Sequence, residues 1–313
     1  TFMHRNLWAL CLLLSPLTGA QGTEVVGYLP HYRVEALYAL PFETLTDLIF
    51  FSVEPKVDGS IDSSDAKPAI LKKLRALTTL KGVKLHLCVG GWRKSKGFSK
   101  MAANLSTRTA FVRNLTAFLK THQLDGADLD WEHPRSKSEI ESFQKLIIEL
   151  KTAFRPHGLE LTVTVAGWGT YLHPETVPFV DRIQIMAYDQ GTPHASFENA
   201  VKAIETWRLQ GVPAEKLIMG LPLYGRNKER VARSYARIIE EFDPPPSSDE
   251  AGGFHFNGID TLTRKIRFVR EKGLAGVMFW ELGQDAKGKN SVVRTLPLRE
   301  DFSENEKEKG NSR

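Results

Sequence analysis

Eight runs of strand length recur along this chain of 313 residues, and most read as continuously rather than alternately apolar. They are VVGYLP (25–30), DLIFFSV (47–53), KLHLCVGG (84–91), DGADLDWE (125–132), LELTVTVAG (159–167), RIQIMAY (182–188), KLIMGLPL (216–223) and LAGVMFWE (274–281). A strand with one wet face alternates, whereas a strand covered on both faces does not need to, so the pattern predicts a parallel sheet wrapped by helices. Stretches of helical period lie between most of the runs, at 69–80, 108–122, 139–154, 197–209 and 260–272. Eight strand-helix units predict a closed (β/α)8 TIM barrel of the α/β class, in a single domain. An open doubly wound sheet is disfavoured because no GxGxxG follows a strand. Between strands seven and eight, helices expected at 229–242 and 260–272 leave only DPPPSSDEAGGFHFNGI (243–259), too short for a second domain, which needs at least ~50 residues.

The flanks read differently. His4 and Arg5 precede an apolar run from Leu7 to Leu14, followed by the small residues Thr18, Gly19 and Ala20. This is the order of a signal peptide over 1–22, cleaved near Ala20 or Gly22, and the run is far short of the ~20 residues that cross a bilayer. The barrel is expected over 23–300, with a polar tail at 301–313. The expected product is a secreted protein, extracellular or periplasmic, off the membrane after cleavage and monomeric. Cys11 falls in the leader, which leaves Cys88 without a partner for an intramolecular disulfide. The net charge of +5 is spread along the chain, as in RKSK (93–96), KER (228–230) and RKIR (264–267), which reads as solvated faces and not as a nucleic-acid surface. Asn104 and Asn114 head glycosylation-type triplets.

One run departs from the others. LDGADLDWEHP (124–134) sets three aspartates and a glutamate within eight residues. On a strand, side chains two apart share a face, so Asp128, Asp130 and Glu132 point into the barrel while Leu129 and Trp131 face the helices. Barrel active sites lie at the C-terminal ends of the strands, where Glu132 is last in the row. Like charges this close cannot all ionise cheaply, so at least one carboxyl is expected to keep its proton and serve as an acid. Asp125 suits hydrogen bonding at the barrel bottom. A metal site is disfavoured because no histidine stands at ligand spacing, and His133 is on the opposite face.

The row resembles the DxxDxDxE signature of strand four in the family-18 glycoside hydrolases, whose members include chitinases, as Asp125, Asp128, Asp130 and Glu132. Further segments resemble the same family in order: CVGGW (88–92) with Gly90 and Gly91, MAYD (186–189), GLPLYGR (220–226) and GVMFWELGQD (276–285). The resemblance implies hydrolysis of β-1,4-linked N-acetylglucosamine polymers or oligomers such as chitin, assisted by the substrate's own acetamido group and without a cofactor. Glu132 would be general acid and base, Asp130 would orient the acetamido group, Asp128 would share a proton with Asp130, and Tyr188 would donate to the acetamido oxygen. Asp189 and Met186 would line the same sugar site, with Trp280 as its floor. Trp92, Trp168 and Arg226 are further candidates for contact with sugar, Tyr28 for support of the inner aspartate, and Trp207 for core packing. Cleavage of the N-glycan chitobiose core or of peptidoglycan, and lectin-like binding, are the alternatives. Two departures are expected to matter. Cys88 stands where the family usually has serine, which would alter the support of Asp128 and shift the pH optimum. The short gap before strand eight would leave an open cleft with little processivity.

Overall fold

The computed structural model describes residues 22–298. Eight strands form the barrel: β1 (Glu24–Pro30), β2 (Asp47–Pro55), β3 (Lys84–Gly90), β4 (Gly126–Asp130), β5 (Glu160–Ala166), β6 (Arg182–Met186), β7 (Leu217–Pro222) and β8 (Gly276–Trp280). Each pairs in parallel with its neighbours in sequence, and β1 pairs with both β2 and β8, which closes the sheet. The expected (β/α)8 architecture is therefore the one observed. Outside it run α1 (Pro68–Lys81), α2 (Phe98–Ala103), α3 (Leu105–Thr121), α4 (Lys137–Phe154), α5 (Phe197–Arg208), α6 (Tyr235–Phe242) and α7 (Ile259–Glu271). The leader and tail predicted from the sequence lie outside the described residues, apart from Gly22.

Strand side chains divide between two apolar layers. Leu29, Phe50, Leu87, Leu129 and Ile183 pack outward against Phe111, Leu115, Phe143 and Leu146 of the helices. Val26, Tyr28, Ile49, Phe51, Cys88 and Met278 form a smaller cluster inside the barrel. Local signals set the helix starts: Ser136 and Glu139 make a reciprocal cap at the start of α4, and Asn104 caps α3 by accepting from Ser106 N at 2.9 Å. Asn114 donates its amide to Gly59 O at 2.9 Å. Both triplet asparagines thus have structural partners.

The region between β7 and β8 differs from expectation. Residues Tyr224–Arg226 pair antiparallel with Ala232–Ser234, and Phe254–His255 and Glu250–Ala251 extend this into a four-stranded sheet. The helix expected at 229–242 begins only at Tyr235. Arg230 takes a left-handed turn conformation at φ 62°, and the Ser234 hydroxyl caps α6 at Arg237 N, so the segment before it is free to form a hairpin. This sheet is small, but it stands as a wall where a bare loop was expected.

The barrel bottom is closed by charge. The Arg182 guanidinium donates to Asp47 at 2.9 Å and Glu160 at 2.6 Å, and also to Glu24. His86 Nε2 lies 3.0 Å from the same Asp47 oxygen. Asp47, His86 and Glu160 converge closely enough to resemble a metal site, but Arg182 already supplies the positive charge there. Burial would raise the Asp47 carboxyl, yet the hydrogen bonds from His86 and Arg182 outweigh it and hold it far below the usual range. That stabilisation is present above the unfolded-state pKa of about 4 and is lost as pH falls towards the folded value. Replacing Arg182 by Met should cost about 3–5 kcal/mol in urea unfolding, because Asp47 would be left buried without its main counter-charge; a loss below about 1 kcal/mol would show that the network is not structural.

Candidate active site

All five residues of β4 are buried. Asp128 and Asp130 point inward, and Glu132 stands two residues beyond the strand end, where with Asp130 it lines a cleft of about 420 Å³. Trp131 faces outward as the period-two pattern predicts. It stacks on Phe98 with centroids 5.1 Å apart and meets Phe143 edge-on at 5.8 Å. The wedge of Trp131 between α2 and α4 therefore fixes the backbone that presents Glu132. From the other side, Gly91 N donates to Asp130 O at 2.6 Å, and Glu132 N donates to the Ser95 hydroxyl at 3.0 Å. Gly91 sits at φ +82°, and a Cβ there would lie 2.2 Å from the Phe51 ring, so only glycine fits. Gly90, at φ +91°, would press a Cβ against Asp130 O at 2.4 Å.

The three carboxyls have different surroundings. Asp128 is fully buried and accepts from Tyr28 OH at 2.7 Å, Thr162 Oγ1 at 2.6 Å, Thr164 Oγ1 at 2.9 Å and Gln184 Nε2 at 2.9 Å. Asp130 has a buried Oδ1 with no hydrogen-bond partner among the described residues. Burial, then the neighbouring Glu132 and Asp128 carboxyls, push Asp130 well above the usual carboxylate range. Glu132 is raised by burial and by the charge of Asp189. Asp189 is the opposite case. Burial would raise it, but Arg226 grips both its oxygens at 2.5 and 2.7 Å, His194 Nδ1 lies at 3.2 Å, and together they hold it far below the usual range.

The other candidates separate into two groups. Tyr28, Trp92, Met186, Tyr188, Asp189, Arg226 and Trp280 all line the cleft with Glu132. Trp280 rests edge-on against Tyr28 at 5.3 Å and Phe51 at 4.8 Å, which leaves it as a supported platform. Trp92 is 56% exposed, with the Arg93 guanidinium 4.6 Å from its ring centroid. Trp168 lies outside the group lining the cleft, is 60% exposed and meets the His133 ring edge-on at 5.1 Å. Trp207 is fully buried and donates to Ala166 O at 2.9 Å. Asp125 is at the other end of the strand, where it accepts from Arg75 at 2.5 Å and Leu85 N at 2.7 Å. Sequence reasoning missed Thr162, Thr164 and Gln184, as well as Tyr32, Tyr224 and Gln284 at the cleft. The first three had a usable signal, since each is a polar residue on the inward phase of its strand.

A family model described as glycosyl hydrolases family 18 matches residues 24–285. The chain belongs to this family. Among its relatives, Chitotriosidase-1 of Mus musculus is 27% identical, with 92% of this chain and 80% of the relative covered. Chitinase 1 of Aphanocladium album is 24% identical over 82% and 79% respectively. The solved GH18 chitinase ChiB of Flavobacterium johnsoniae shares 26% identity with a TM-score of 0.77, covering 87% of this chain and 92% of that one. A chitinase of Bacteroides thetaiotaomicron, at 23% identity, shares the fold with a TM-score of 0.83 over 90% and 98%.

In this family-18 barrel, Cys88 occupies the serine position of the strand-three signature and pairs in register with Asp128. Its thiol is fully buried and pushed up by that burial and by Asp130. It is not among the four donors to Asp128, so the altered support expected from the sequence is met from β1, β5 and β6. Accordingly Cys88→Ser should change kcat/KM on chito-oligomers by less than about threefold, since no hydrogen bond to Asp128 is lost. A displaced pH optimum in that variant would restore the thiol to a tuning role.

Proposed function

We propose that the protein hydrolyses β-1,4-linked N-acetylglucosamine chains with retention of configuration, using the substrate's acetamido group as nucleophile. The observation that carries this reading is the division of labour among the carboxyls of the cleft. Asp189 is held at both oxygens by Arg226, and Asp130 is buried and biased towards its protonated form. Neither is a free carboxylate able to attack a sugar carbon. Glu132, past the strand end and less buried than Asp130, opens to the cleft with a pKa raised by burial and by the charge of Asp189, which suits a working acid.

Glu132 gives its proton to the glycosidic oxygen as the acetamido oxygen bonds to the anomeric carbon and the leaving sugar departs. Asp130, turned towards the ring, holds the acetamido N–H and offsets the positive charge that develops. Tyr188 donates to the acetamido oxygen, and Trp280 carries the apolar face of the sugar. Water then attacks the same carbon, with Glu132 taking its proton, and the two displacements retain configuration. Family 18 is a recognised exception to the two-carboxylate scheme. The same reading includes export by the leader and a cleft bounded by only a low four-stranded wall, suited to short chains more than to processive action.

The acid form of Glu132 persists to higher pH than an ordinary glutamate, and activity should fall as pH rises through its folded value. Glu132→Gln is expected to lower kcat on chitotetraose by about 10²–10⁴ with binding retained in calorimetry. A loss below tenfold would overturn the assignment. A wild-type protein that binds without turnover would be a binding protein, and one that does neither would point to N-glycan or peptidoglycan substrates.

A further inference from the structure

Asp189, whose charge acts on Glu132, takes a left-handed backbone conformation at φ 60°. A residue other than glycine keeps such a conformation only where its surroundings hold it there. Two arms do so. Arg226 reaches the carboxylate from the four-stranded wall, and His194 reaches it from the loop that follows β6. Neither arm belongs to a barrel strand, so the place of Asp189 depends on what ties the wall and the loop to the barrel.

One buried side chain stands where the two arms meet. Arg226 pairs in register with His255, two residues before Asn257, and His194 precedes Ala195. The Asn257 amide donates to Ala195 O at 2.9 Å, Lys265 Nζ donates to the same oxygen at 2.8 Å, and Lys265 Nζ also donates to Asn257 Oδ1 at 2.7 Å. This triangle closes a ring that runs through Ala195, His194, Asp189, Arg226, His255 and Asn257. Lys265 is fully buried on the inner face of α7, among Leu262, Ile266 and Val269, and so joins the ring to the helical shell of the barrel. Among the described residues no carboxylate pairs with it directly. The two that act on it from further off are engaged elsewhere: Asp249 accepts from Gly258 N at 2.8 Å and Thr261 Oγ1 at 2.6 Å, and Glu198 lies 3.6 Å from Arg264. Burial pushes Lys265 down to about 7. Even the neutral amine keeps two N–H groups for its two acceptors, so the triangle holds on either side of that value.

We propose that Lys265, with Asn257, is a positioning residue for Asp189: it fixes the wall and the β6 loop to α7 and so keeps the Asp189 carboxylate in place beside Glu132. This deepens the functional reading above and rests on it. The charge of Asp189 raises Glu132, so an Asp189 that drifts away lowers the pH up to which Glu132 remains an acid. The other ionisable groups facing Glu132 are Cys88 from β3, Asp130 from β4, Tyr171 after β5 and Tyr188 after β6. Arg226 is committed to Asp189.

The test is the pH profile of kcat/KM on chitotetraose for Lys265→Met, which keeps most of the side chain's length and removes its donor. The variant should fold, because it takes a buried amine without a paired anion out of the interior. With the ring loosened from α7, the basic limb should move to lower pH by about 0.5 units, and KM should rise several-fold. A loss of stability alone would reduce the folded fraction and hence the apparent kcat, with KM and the limb in place. Asn257→Leu removes another corner of the triangle and should move the limb in the same direction, which keeps the proposal testable if the lysine variant does not fold. A basic limb within about 0.2 units of wild type in a folded variant would overturn the proposal, whatever the change in kcat. The functional reading fails separately, through a wild-type protein without turnover or a Glu132→Gln variant that retains it.

Discussion

Burying a row of carboxyls is the constraint to which the rest of this structure answers. Desolvation penalises each anion, and the penalty grows when neighbours of like charge share the site. The barrel meets it in three ways. Asp128 receives four donors from three other strands. Asp130 receives none that the described residues show at Oδ1, and is pushed towards its protonated form. Glu132, past the strand end, opens to the cleft and keeps a raised pKa. One sequence repeat of two residues thus yields three chemically distinct groups, because successive inward positions climb from the sealed interior to the rim.

The same economy appears at both ends of the barrel. At the bottom, Arg182 gathers Glu24, Asp47 and Glu160 into a charged plug. At the top, Arg226 gathers Asp189. The two arginines neutralise carboxylates outside the Asp128–Asp130–Glu132 row, although Asp189 still raises Glu132. Positive charge placed directly beside Asp130 or Glu132 would lower their pKa values and remove the acid. The separation of the guanidinium groups from the row is therefore as much part of the site as the carboxyls.

Much of this was legible in the sequence. Eight apolar runs with helical spacers imply the barrel, and the DxDxE spacing places Trp131 outward and the acids inward, because strand period is a rigid geometric rule. What escaped were consequences of closure. Thr162, Thr164 and Gln184 look like ordinary polar interruptions of β5 and β6, and only the curled sheet brings them around Asp128. The second arm of the hairpin, Ala232–Ser234, fell inside the helix expected at 229–242 because its local pattern carried no strong turn signal, while the Ser234 cap that delays α6 is clear only once the turn at Arg230 is seen. Cys88 shows the limit of reading one motif position: of the four donors to Asp128, the family comparison pointed to Tyr28 but not to Thr162, Thr164 or Gln184.

The central claim is that the nucleophile belongs to the substrate. The measurement that addresses it most directly is the rate of glycosidic cleavage across aryl chitobiosides whose reacting acetamido group is replaced by its mono-, di- and trifluoroacetyl analogues. Fluorine withdraws charge from the attacking carbonyl oxygen, so the account predicts a steep, monotonic fall in kcat along the series. A rate insensitive to fluorination would mean that an enzyme carboxylate or a water molecule makes the first bond, and would contradict the assignment of Asp130 and Asp189 as groups unable to attack.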